Sequence, residues 1–244
     1  MIGMLDAGHL HTGSGGIGYA TALNLARFGC DIAVHYNSAR DKANALVHEL
    51  LTIPGGGVRA EVFQADLSTY DGARALHADV VAKLGHPDVL FNNAGVTTKL
   101  IGPNGNIEDI TPEMFEETWR SNTGTHYLLT QLCIPHMLEQ NVAAGTGGVI
   151  GPHYASSKSA MHGLLHWIAM RYAKEGLTCN AVAPALITET TMFANPPEEL
   201  RARIPVNRFG KPDEIASVVQ LFVTNAYLTN KIIVVDGGWT PSAF

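Results

Sequence analysis

The feature that most constrains the fold is a regular alternation of short apolar runs with longer helical patterns along the 244 residues. Strand-like runs are expected at 31–36, 58–65, 88–91, 177–183 and 231–235. Helical patterns are expected at 19–28, 39–51, 70–84, 111–138, 154–174 and 211–224. This alternation predicts an α/β fold, with a doubly wound, mostly parallel sheet covered by helices on both faces. No Pro/Gly/Ser-rich linker divides the chain, which predicts a single domain over residues 1–244.

The composition excludes several classes of partner. The net charge is −6 and no stretch is rich in Lys or Arg, which argues against nucleic acid or an anionic membrane surface. No apolar run is long enough to span a bilayer and no secretory signal is visible, so a cytoplasmic location is expected. Cys30, Cys133 and Cys179 are far apart, and this spacing predicts buried thiols in a reducing compartment.

A glycine-rich turn precedes the first helical pattern. The turn contains Gly13, Ser14, Gly16, Ile17 and Gly18. Glycines let the backbone turn sharply and approach a pyrophosphate at a helix N-terminus. In the first turn of an alternating α/β chain, this pattern predicts a dinucleotide site beyond the carboxyl ends of the strands.

The end of the second strand indicates which dinucleotide is bound. An NAD site usually carries an acidic residue about 20 residues after the glycines, to bind the ribose 2′-hydroxyl. Here Asn37, Ser38 and Arg40 occupy that region and no carboxylate is present. These side chains favour a 2′-phosphate, so NADP(H) is the predicted cofactor. Asp66, with Leu67 after it, is a candidate for binding the adenine amino group, although an exposed turn aspartate is an equally ordinary interpretation.

Tyr154 and Lys158 are four residues apart, which places a phenol and an ammonium on one face of a helix. A free tyrosine has a pKa of about 10, too high for efficient proton transfer at neutral pH. The ammonium and an oxidised nicotinamide both favour the phenolate, so a lowered tyrosine pKa is expected. By itself, Tyr-x-x-x-Lys would also fit an ordinary exposed pair.

The motifs occur in an order that carries a family resemblance. That order is the glycine-rich turn, Asn92-Asn-Ala-Gly95, Asn122, Tyr154/Lys158, Asn180-Ala-Val-Ala-Pro184 and Val235-Asp-Gly-Gly238. Over nearly the whole chain it resembles the classical short-chain dehydrogenase/reductase family, which has a Rossmann-type fold. The segments 208–215 and 227–229 resemble the family's 3-oxoacyl-ACP reductase-like branch. The resemblance also implies a homo-oligomer, a tetramer or a dimer.

The resemblance implies a role for each matching residue. Tyr154 would exchange a proton with a carbonyl or alcohol substrate, and Lys158 would lower its pKa and contact the nicotinamide ribose. Asn122 would hold a water that links Lys158 to solvent, or simply bond to the backbone at a helix kink. The remaining cofactor contacts would come from Asn93, Ala94, Gly95, Pro184, Ile187 and Thr188. A mobile substrate lid is expected near residues 189–205.

The sequence departs from the family pattern at three places. Where the family has a serine thirteen residues before the tyrosine, this chain has Asn141, whose carboxamide is the candidate replacement donor. The apolar strand of about ten residues that should precede Asn141 is absent, which predicts two strands without their shared partner. The first central strand is expected at 7–11, an unpromising segment with one glycine and two histidines, and the glycine motif fits only with a one-residue shift.

Two functions remain open from the sequence. The first is an NADPH-dependent ketone reductase, with 3-oxoacyl thioesters as a candidate substrate class. The second is a catalytically impaired relative that binds dinucleotide or assembles with paralogues through the helix at 154–174. No metal site is predicted, because His162 and His166 share a helical face but lack a third acidic ligand nearby.

Overall fold

The computed structural model describes residues 2–6, 16–54, 57–99, 107–140, 143–145, 152–190, 193 and 197–240. The strands are β1 Ile2–Asp6, β2 Asp31–Tyr36, β3 Ala60–Gln64, β4 Val89–Phe91, β5 Ala143–Gly145, β6 Thr178–Pro184 and β7 Lys231–Val235. The helices are α1 Ile17–Arg27, α2 Arg40–Leu51, α3 Tyr70–Lys83, α4 Pro112–Trp119, α5 Thr125–Gln140, α6 Pro152–Tyr172, α7 Glu198–Arg201 and α8 Pro212–Thr224.

The seven strands form one sheet in the order β3-β2-β1-β4-β5-β6-β7, and each described pairing is parallel. β2 and β3 therefore follow β1 towards one edge of the sheet, and β5, β6 and β7 follow β4 towards the other edge. Ligands of doubly wound sheets bind beyond the carboxyl ends of the strands, at the point where the order reverses. Here that point lies between β1 and β4. The predicted α/β class, parallel sheet and single domain are confirmed.

The prediction for the first strand is wrong. β1 is Ile2–Asp6, and the segment 7–11 lies outside the described residues. It lies between β2 and β4, with Met4 opposite Ala33 on one side and Leu90 on the other. The physical reason is composition: a central parallel strand needs a continuous apolar run, and Ile-Gly-Met-Leu supplies it better than a segment with two histidines.

The prediction that two strands lack their shared partner is also wrong. α5 continues to Gln140, so no strand precedes Asn141, but β5 follows it at Ala143–Gly145. This three-residue strand pairs with β4 through Ala144 and Leu90 and with β6 through Ala144 and Cys179. A short segment of small residues thus supplies backbone hydrogen bonds to both neighbouring strands. Parallel pairing depends on these backbone hydrogen bonds more than on large side chains.

Two apolar cores lie on opposite faces of the sheet. α1, α2 and α8 cover one face, with Leu25 and Ile215 fully buried. α3, α5 and α6 cover the other, with Leu76 and Leu129 buried. Successive residues of a strand point to opposite faces, and β2 follows this rule: Val34 packs in the first core and its neighbour Ala33 in the second. The three cysteines are buried thiols, as predicted.

The long helical pattern at 111–138 is divided by a π-helical segment, Arg120–Gly124, between α4 and α5. Thr111 caps α4 as predicted, because its side-chain oxygen accepts a hydrogen bond from the Met114 backbone N–H and Pro112 occupies the first turn. Short 3-10 helices cover Ile107–Asp109 and Ala173–Glu175. Within the described ranges, no helix combines the length and the apolar character that crossing a bilayer requires.

Candidate functional site

A cavity of about 250 Å³ lies beyond the carboxyl ends of β2, β3 and β4. Residues of three strand-to-helix connections line it, together with side chains from α4 and the π-helical segment. Its lining residues include His35, Asn37, Asp66, Gly95, Glu117 and Ser121. The cavity therefore lies beside the reversal of strand order, where the sheet topology predicts a ligand.

The N-terminus of α1 begins beside this reversal of strand order. Gly16 precedes the helix with φ 139°, a backbone conformation that a residue with a side chain rarely adopts. Ile17 and Gly18 form the first turn, and Gly18 is buried. The unpaired N–H groups of a helix N-terminus favour an anionic group. Gly13 and Ser14, two further residues of the predicted glycine-rich turn, lie outside the described residues.

The segment between β2 and α2 contains the residues predicted to bind a 2′-phosphate. Asn37 lines the cavity, and its carbonyl oxygen accepts a hydrogen bond from Gln64 Nε2 at 3.1 Å. Ser38 and Arg40 are exposed, and Arg40 is the first residue of α2. The guanidinium and the helix N-terminus both add positive potential at this point, which suits a phosphate group.

Asn122 is fully buried in the π-helical segment and clamps the segment after β4. Its Nδ2 donates to the Val96 carbonyl at 2.9 Å, and its Oδ1 accepts from the Val96 N–H at 2.8 Å. Nδ2 also lies 3.4 Å from Ser157 Oγ on α6. The carboxamide thus fixes the strand-to-helix connection that contains Ala94 and Gly95, and it ties that connection to the helix carrying Tyr154.

Tyr154 and Lys158 lie in the N-terminal half of α6, and both are buried, at 5% exposure each. The Lys158 ammonium lies 5.6 Å from the centre of the Tyr154 ring. Lys158 Nζ is 3.5 Å from the Ala94 carbonyl oxygen, so the lysine faces the end of β4. A Cβ atom on Gly95 would lie 3.5 Å from Lys158 Nζ, a contact that leaves little free space beside the lysine.

Burial raises the pKa of Tyr154 to about 12. The expected lowering of the tyrosine pKa by Lys158 is therefore not found in the protein alone. The reason is burial, because removing a phenolate from water disfavours the charged form. In this state the phenol carries its proton at neutral pH.

A second group of predicted residues follows β6. Pro184 ends that strand, and the next residues lie beside the segment around Gly210. Ile187 pairs with Gly210 in an isolated bridge, and the Thr188 N–H and hydroxyl both donate to the Gly210 carbonyl, at 3.0 and 3.1 Å. A Cβ atom on Gly210 would lie 2.6 Å from Ile187 Cδ1, so the absence of a side chain there makes room for Ile187.

The remaining predicted residues divide into two groups. Leu67 and Ala94 line the cavity beside Asp66, and Asn93 is half-buried just after β4. Asn141 lies outside the described residues, and in the sequence it precedes β5, whereas sites on parallel sheets form beyond the carboxyl ends of strands. The segment 146–151, which follows β5, also lies outside the described residues.

Five cavity-lining residues did not emerge from the sequence: His35, Ser68, Val96, Glu117 and Ser121. His35 is buried near the carboxyl end of β2, and its Nε2 lies 2.9 Å from the Ala65 carbonyl oxygen. Its position at the end of the second strand, two residues before Asn37, is the signal that would have found it. Ser121 directly precedes Asn122, and Glu117 lies one helical turn before Ser121. In the described part of the chain, no three His, Cys, Asp or Glu side chains are grouped to hold a metal ion.

Known proteins resemble this chain in sequence and in fold. A family model described as Enoyl-(Acyl carrier protein) reductase matches residues 12–240. The 3-oxoacyl-[acyl-carrier-protein] reductase FabG of Staphylococcus aureus is 32% identical over 243 residues, covering 92% of this chain and 94% of the relative. Acetoin dehydrogenase YohF from Salmonella typhimurium superposes with a TM-score of 0.82 at 29% identity, covering 98% of this chain and 96% of the other. A blue fluorescent protein from a metagenomic library, solved in complex with NADPH, gives a TM-score of 0.84 at 29% identity over 98% of both chains.

These matches, together with the position of the Tyr154–Lys158 pair beside the end of β4, define a nicotinamide-dependent oxidoreductase. The chain belongs to the short-chain dehydrogenase/reductase family, in its 3-oxoacyl-ACP reductase-like branch. The described residues fit the dinucleotide that this family uses. A cavity lies beside the reversal of strand order, a helix begins at a glycine with positive φ, and the buried hydroxyl of Ser121 makes no hydrogen bond within the described part of the chain.

Proposed function

We propose that the protein is an NADP(H)-dependent reductase that converts a ketone to a secondary alcohol, with Tyr154 as the proton donor. The observation that carries this proposal is the buried Tyr154–Lys158 pair beside Ala94 and Gly95. An ordinary Tyr–Lys pair on an exposed helix face would instead be surrounded by water. Because burial keeps the phenol protonated, Tyr154 is suited to donating a proton to a carbonyl oxygen.

The side chains around Tyr154 support each part of this chemistry. A bound reduced dinucleotide supplies the hydride that the reduction requires. After Tyr154 has donated its proton, the Lys158 ammonium stabilises the phenolate through its charge. Asn122 holds Val96, and through it the segment that contains Gly95, in a fixed position next to Lys158. Asn122 is therefore proposed as a positioning residue.

The experiment that tests the proton donor is NADPH oxidation at 340 nm with a β-keto ester as substrate surrogate. Tyr154→Phe is expected to lower kcat at least about 100-fold, the usual contribution of a general acid, while NADPH binding persists. Tyr172→Phe, at the other end of α6, is the matched control and is expected to keep full activity. If Tyr154→Phe turns over as fast as the parent, the proposed role is wrong.

The preference for NADP(H) is proposed from Asn37, Ser38 and Arg40 at the start of α2. A guanidinium bonded to a 2′-phosphate contributes a charge-assisted hydrogen bond, so Arg40→Ala is expected to weaken NADPH binding by roughly 10- to 100-fold. NADH binding is expected to stay unchanged. Arg27→Ala, exposed at the end of α1, is the control. Equal losses of affinity for NADPH and NADH would contradict the assignment.

The substrate class proposed is a 3-oxoacyl thioester, because a curated relative that covers nearly the whole chain is a 3-oxoacyl-[acyl-carrier-protein] reductase. The segment near 189–205, which follows β6 in the sequence, is the proposed substrate lid. Activity with a 3-oxoacyl thioester at least tenfold above that with simple ketones of similar size supports this class. Equal activity with both would leave the ketone reductase proposal intact and remove the thioester preference.

A second candidate function is a catalytically impaired relative that binds dinucleotide without turning over substrate. The observation in its favour is the three-residue β5, together with Asn141 on the amino side of that strand in the sequence. This candidate predicts that NADPH raises the melting temperature while a broad panel of ketones and alcohols gives no turnover. Turnover that requires Tyr154 excludes it.

We also propose that the protein is a homo-oligomer, a dimer or a tetramer. Trp167 and Met170 on α6 are 59% and 74% exposed. Large apolar side chains that are exposed on a single chain often mark a surface that becomes buried in an interface. Light scattering coupled to size-exclusion chromatography measures the mass directly. A Trp167→Glu variant is expected to dissociate, and a parent protein that runs as a monomer at micromolar concentration would overturn the proposal.

A further inference from the structure

The Ser157 side chain lies between the π-helical segment and the first turn of α6. Ser157 is fully buried. Its hydroxyl donates to the Tyr154 carbonyl oxygen at 2.8 Å and accepts from Asn122 Nδ2 at 3.4 Å. The hydroxyl of Ser157 therefore connects the Asn122 carboxamide with the backbone of Tyr154.

The backbone of Ser157 is held by the same π-helical segment. Thr123 Oγ1 donates to the Ser157 carbonyl oxygen at 2.8 Å. Asn122 and Thr123 are consecutive, so one of them bonds to the side chain of Ser157 and the other to its backbone. π-helical turns are rare and occur frequently at functional sites. Here the π-helical turn contains both residues that hold Ser157.

The hydrogen bonds of Asn122 extend this connection to the segment after β4. An amide nitrogen carries two hydrogens, and Asn122 Nδ2 donates to Val96 as well as to Ser157. Its Oδ1 accepts from the Val96 N–H. A continuous chain of hydrogen bonds thus leads from Val96 through Asn122 and Ser157 to the Tyr154 carbonyl. Buried networks whose members are all paired make a structure rigid, so this chain fixes Tyr154 relative to the end of β4.

The first turn of α6 needs such support because it carries the phenol. Tyr154 is the third residue of α6, and the first N–H groups of a helix have no partner within the helix. The phenol oxygen lies at the far end of a long side chain, so a small tilt of the turn displaces it. Misplacing a reacting group by about 1 Å can lower a rate roughly 100-fold.

Local helix formation does not account for a serine at position 157. Alanine has a higher helix propensity than serine, and a serine hydroxyl that bonds to a carbonyl of its own helix slightly weakens that helix. The contacts with Asn122 and Tyr154 are the feature that alanine would not supply.

We propose that Ser157 is a positioning residue for proton transfer, which aligns the Tyr154 phenol with the substrate by joining the first turn of α6 to Asn122 and Thr123. This inference rests on the proposed reductase function and adds a residue that acts through Tyr154. It does not require Ser157 to touch the substrate or the dinucleotide.

The first test compares the parent with Ser157→Ala and with Ser159→Ala, an exposed serine on the same helix that serves as the control. NADPH oxidation with a β-keto ester gives kcat, expressed per NADPH-binding site from titration, so that unfolded protein does not count. Ser157→Ala is expected to lower kcat about tenfold or more while KM and NADPH affinity stay within about twofold, because the loss falls on the transition state. The ratio of kcat in H2O to kcat in D2O is expected to increase, since proton transfer becomes slower.

Thr123 provides a second test that keeps the folded core intact, because this residue is only half-buried. Thr123→Val has nearly the same shape but cannot donate to the Ser157 carbonyl, whereas Thr123→Ser keeps the hydroxyl. Thr123→Val is expected to lower kcat per site about three- to tenfold, the effect of one hydrogen bond, and Thr123→Ser is expected to restore most of the parental value.

The results separate positioning from a purely structural role. Parental kcat and isotope ratio in Ser157→Ala overturn the inference. A loss that appears only as fewer NADPH-binding sites, with parental kcat per site, also overturns it. If Ser157→Ala does not fold, equal kcat values for Thr123→Val and the parent overturn the inference.

The proposed function is judged by a different variant. Turnover that requires Tyr154, together with parental kinetics in Ser157→Ala and Thr123→Val, overturns this inference and leaves the proposed reductase in place. A parent without turnover, or one whose turnover persists in Tyr154→Phe, overturns the proposed function and this inference with it.

Discussion

The Lys158 ammonium lies 5.6 Å from the centre of the Tyr154 ring, and both side chains are buried on one face of α6. Burial raises the pKa of Tyr154 to about 12, because desolvation disfavours the charged phenolate. The free protein therefore keeps the neutral form of the tyrosine at pH 7, even with the lysine beside it.

Removing the lysine charge is expected to make alcohol oxidation more dependent on high pH. The oxidation direction requires the phenolate as base, and the rate follows the phenolate fraction on the rising limb of the pH profile. In Lys158→Met the tyrosine pKa rises further, because an opposite charge no longer favours the phenolate. The kcat/KM for oxidation at neutral pH should fall roughly tenfold or more, since each pH unit corresponds to a tenfold change in the phenolate fraction.

The measurement is the pH profile of kcat/KM for alcohol oxidation, with Lys174→Met as the control. Lys174 is exposed in the 3-10 helix after α6, so its variant should reproduce the parent profile. A Lys158→Met variant with lower activity but an unmoved profile would show that the lysine does not act on the tyrosine pKa.

Replacing Asn122 with alanine is expected to destabilise the protein by roughly 2–4 kcal/mol. The substitution leaves both the N–H and the carbonyl oxygen of Val96 without their partner, and each unpaired buried group costs about 1–3 kcal/mol. Urea unfolding measures the loss. Asn44→Ala, at an exposed position of α2, is the control and should change the free energy of unfolding by less than about 0.5 kcal/mol. An unchanged free energy of unfolding in Asn122→Ala would show that the clamp on Val96 is not formed in solution.

The sequence predicted the fold class and several helix and strand positions because these depend on local apolar patterns. β2 and β7 were predicted with the bounds that the structure has. β5 was not predicted, since Ala-Ala-Gly carries no apolar signal. Its place follows from β4 and β6, which both need a backbone partner. Strand formation there depends on the tertiary structure rather than on local propensity.

The candidate site was also predictable only in part from the sequence. Tyr154 and Lys158 were identified from their spacing, and their burial next to Gly95 agrees with a shared site. The raised pKa of Tyr154 was not predictable, because it depends on how completely the surrounding helices exclude water. That the Ser121 hydroxyl has no partner among the described residues likewise depends on which groups lie nearby in space.

Gly72 and Gly163 offer a matched pair of glycine-to-alanine substitutions with opposite expected effects. A Cβ atom on Gly72, in the first turn of α3, would lie 2.0 Å from the Asp66 carbonyl oxygen, so backbone must shift. We expect Gly72→Ala to destabilise by about 1–3 kcal/mol. A Cβ atom on Gly163, exposed on α6, would have no atom within 4 Å. Gly163→Ala is expected to stabilise by roughly 0.5–1 kcal/mol, because alanine loses less backbone entropy in a helix.

Thermal unfolding of both variants and the parent, followed by circular dichroism, measures these effects. Because Asp66 lines the cavity, Gly72→Ala is also expected to weaken NADPH binding, whereas Gly163→Ala should not. If Gly72→Ala is as stable as the parent and binds NADPH equally well, the close approach of α3 to Asp66 is contradicted.

His77 is expected to make the protein less stable below about pH 6.5. Its pKa is lowered from the usual 6.5, first because it is partly buried on α3 and second because of the nearby His86, which in turn stacks on His136. Below pH 6.5 the unfolded chain binds a proton at this histidine while the folded protein does not, so protonation favours unfolding. The contribution of a neutral His77 is thus fully present above pH 6.5 and is lost as the pH falls towards the lowered pKa of the folded state.

His77→Gln cannot take up the proton, so its free energy of unfolding should decline less than that of the parent between pH 7 and pH 5. His48→Gln, exposed on α2, should follow the parent. Urea unfolding at several pH values measures the difference, and parallel curves for the parent and His77→Gln would exclude this histidine as a source of acid sensitivity.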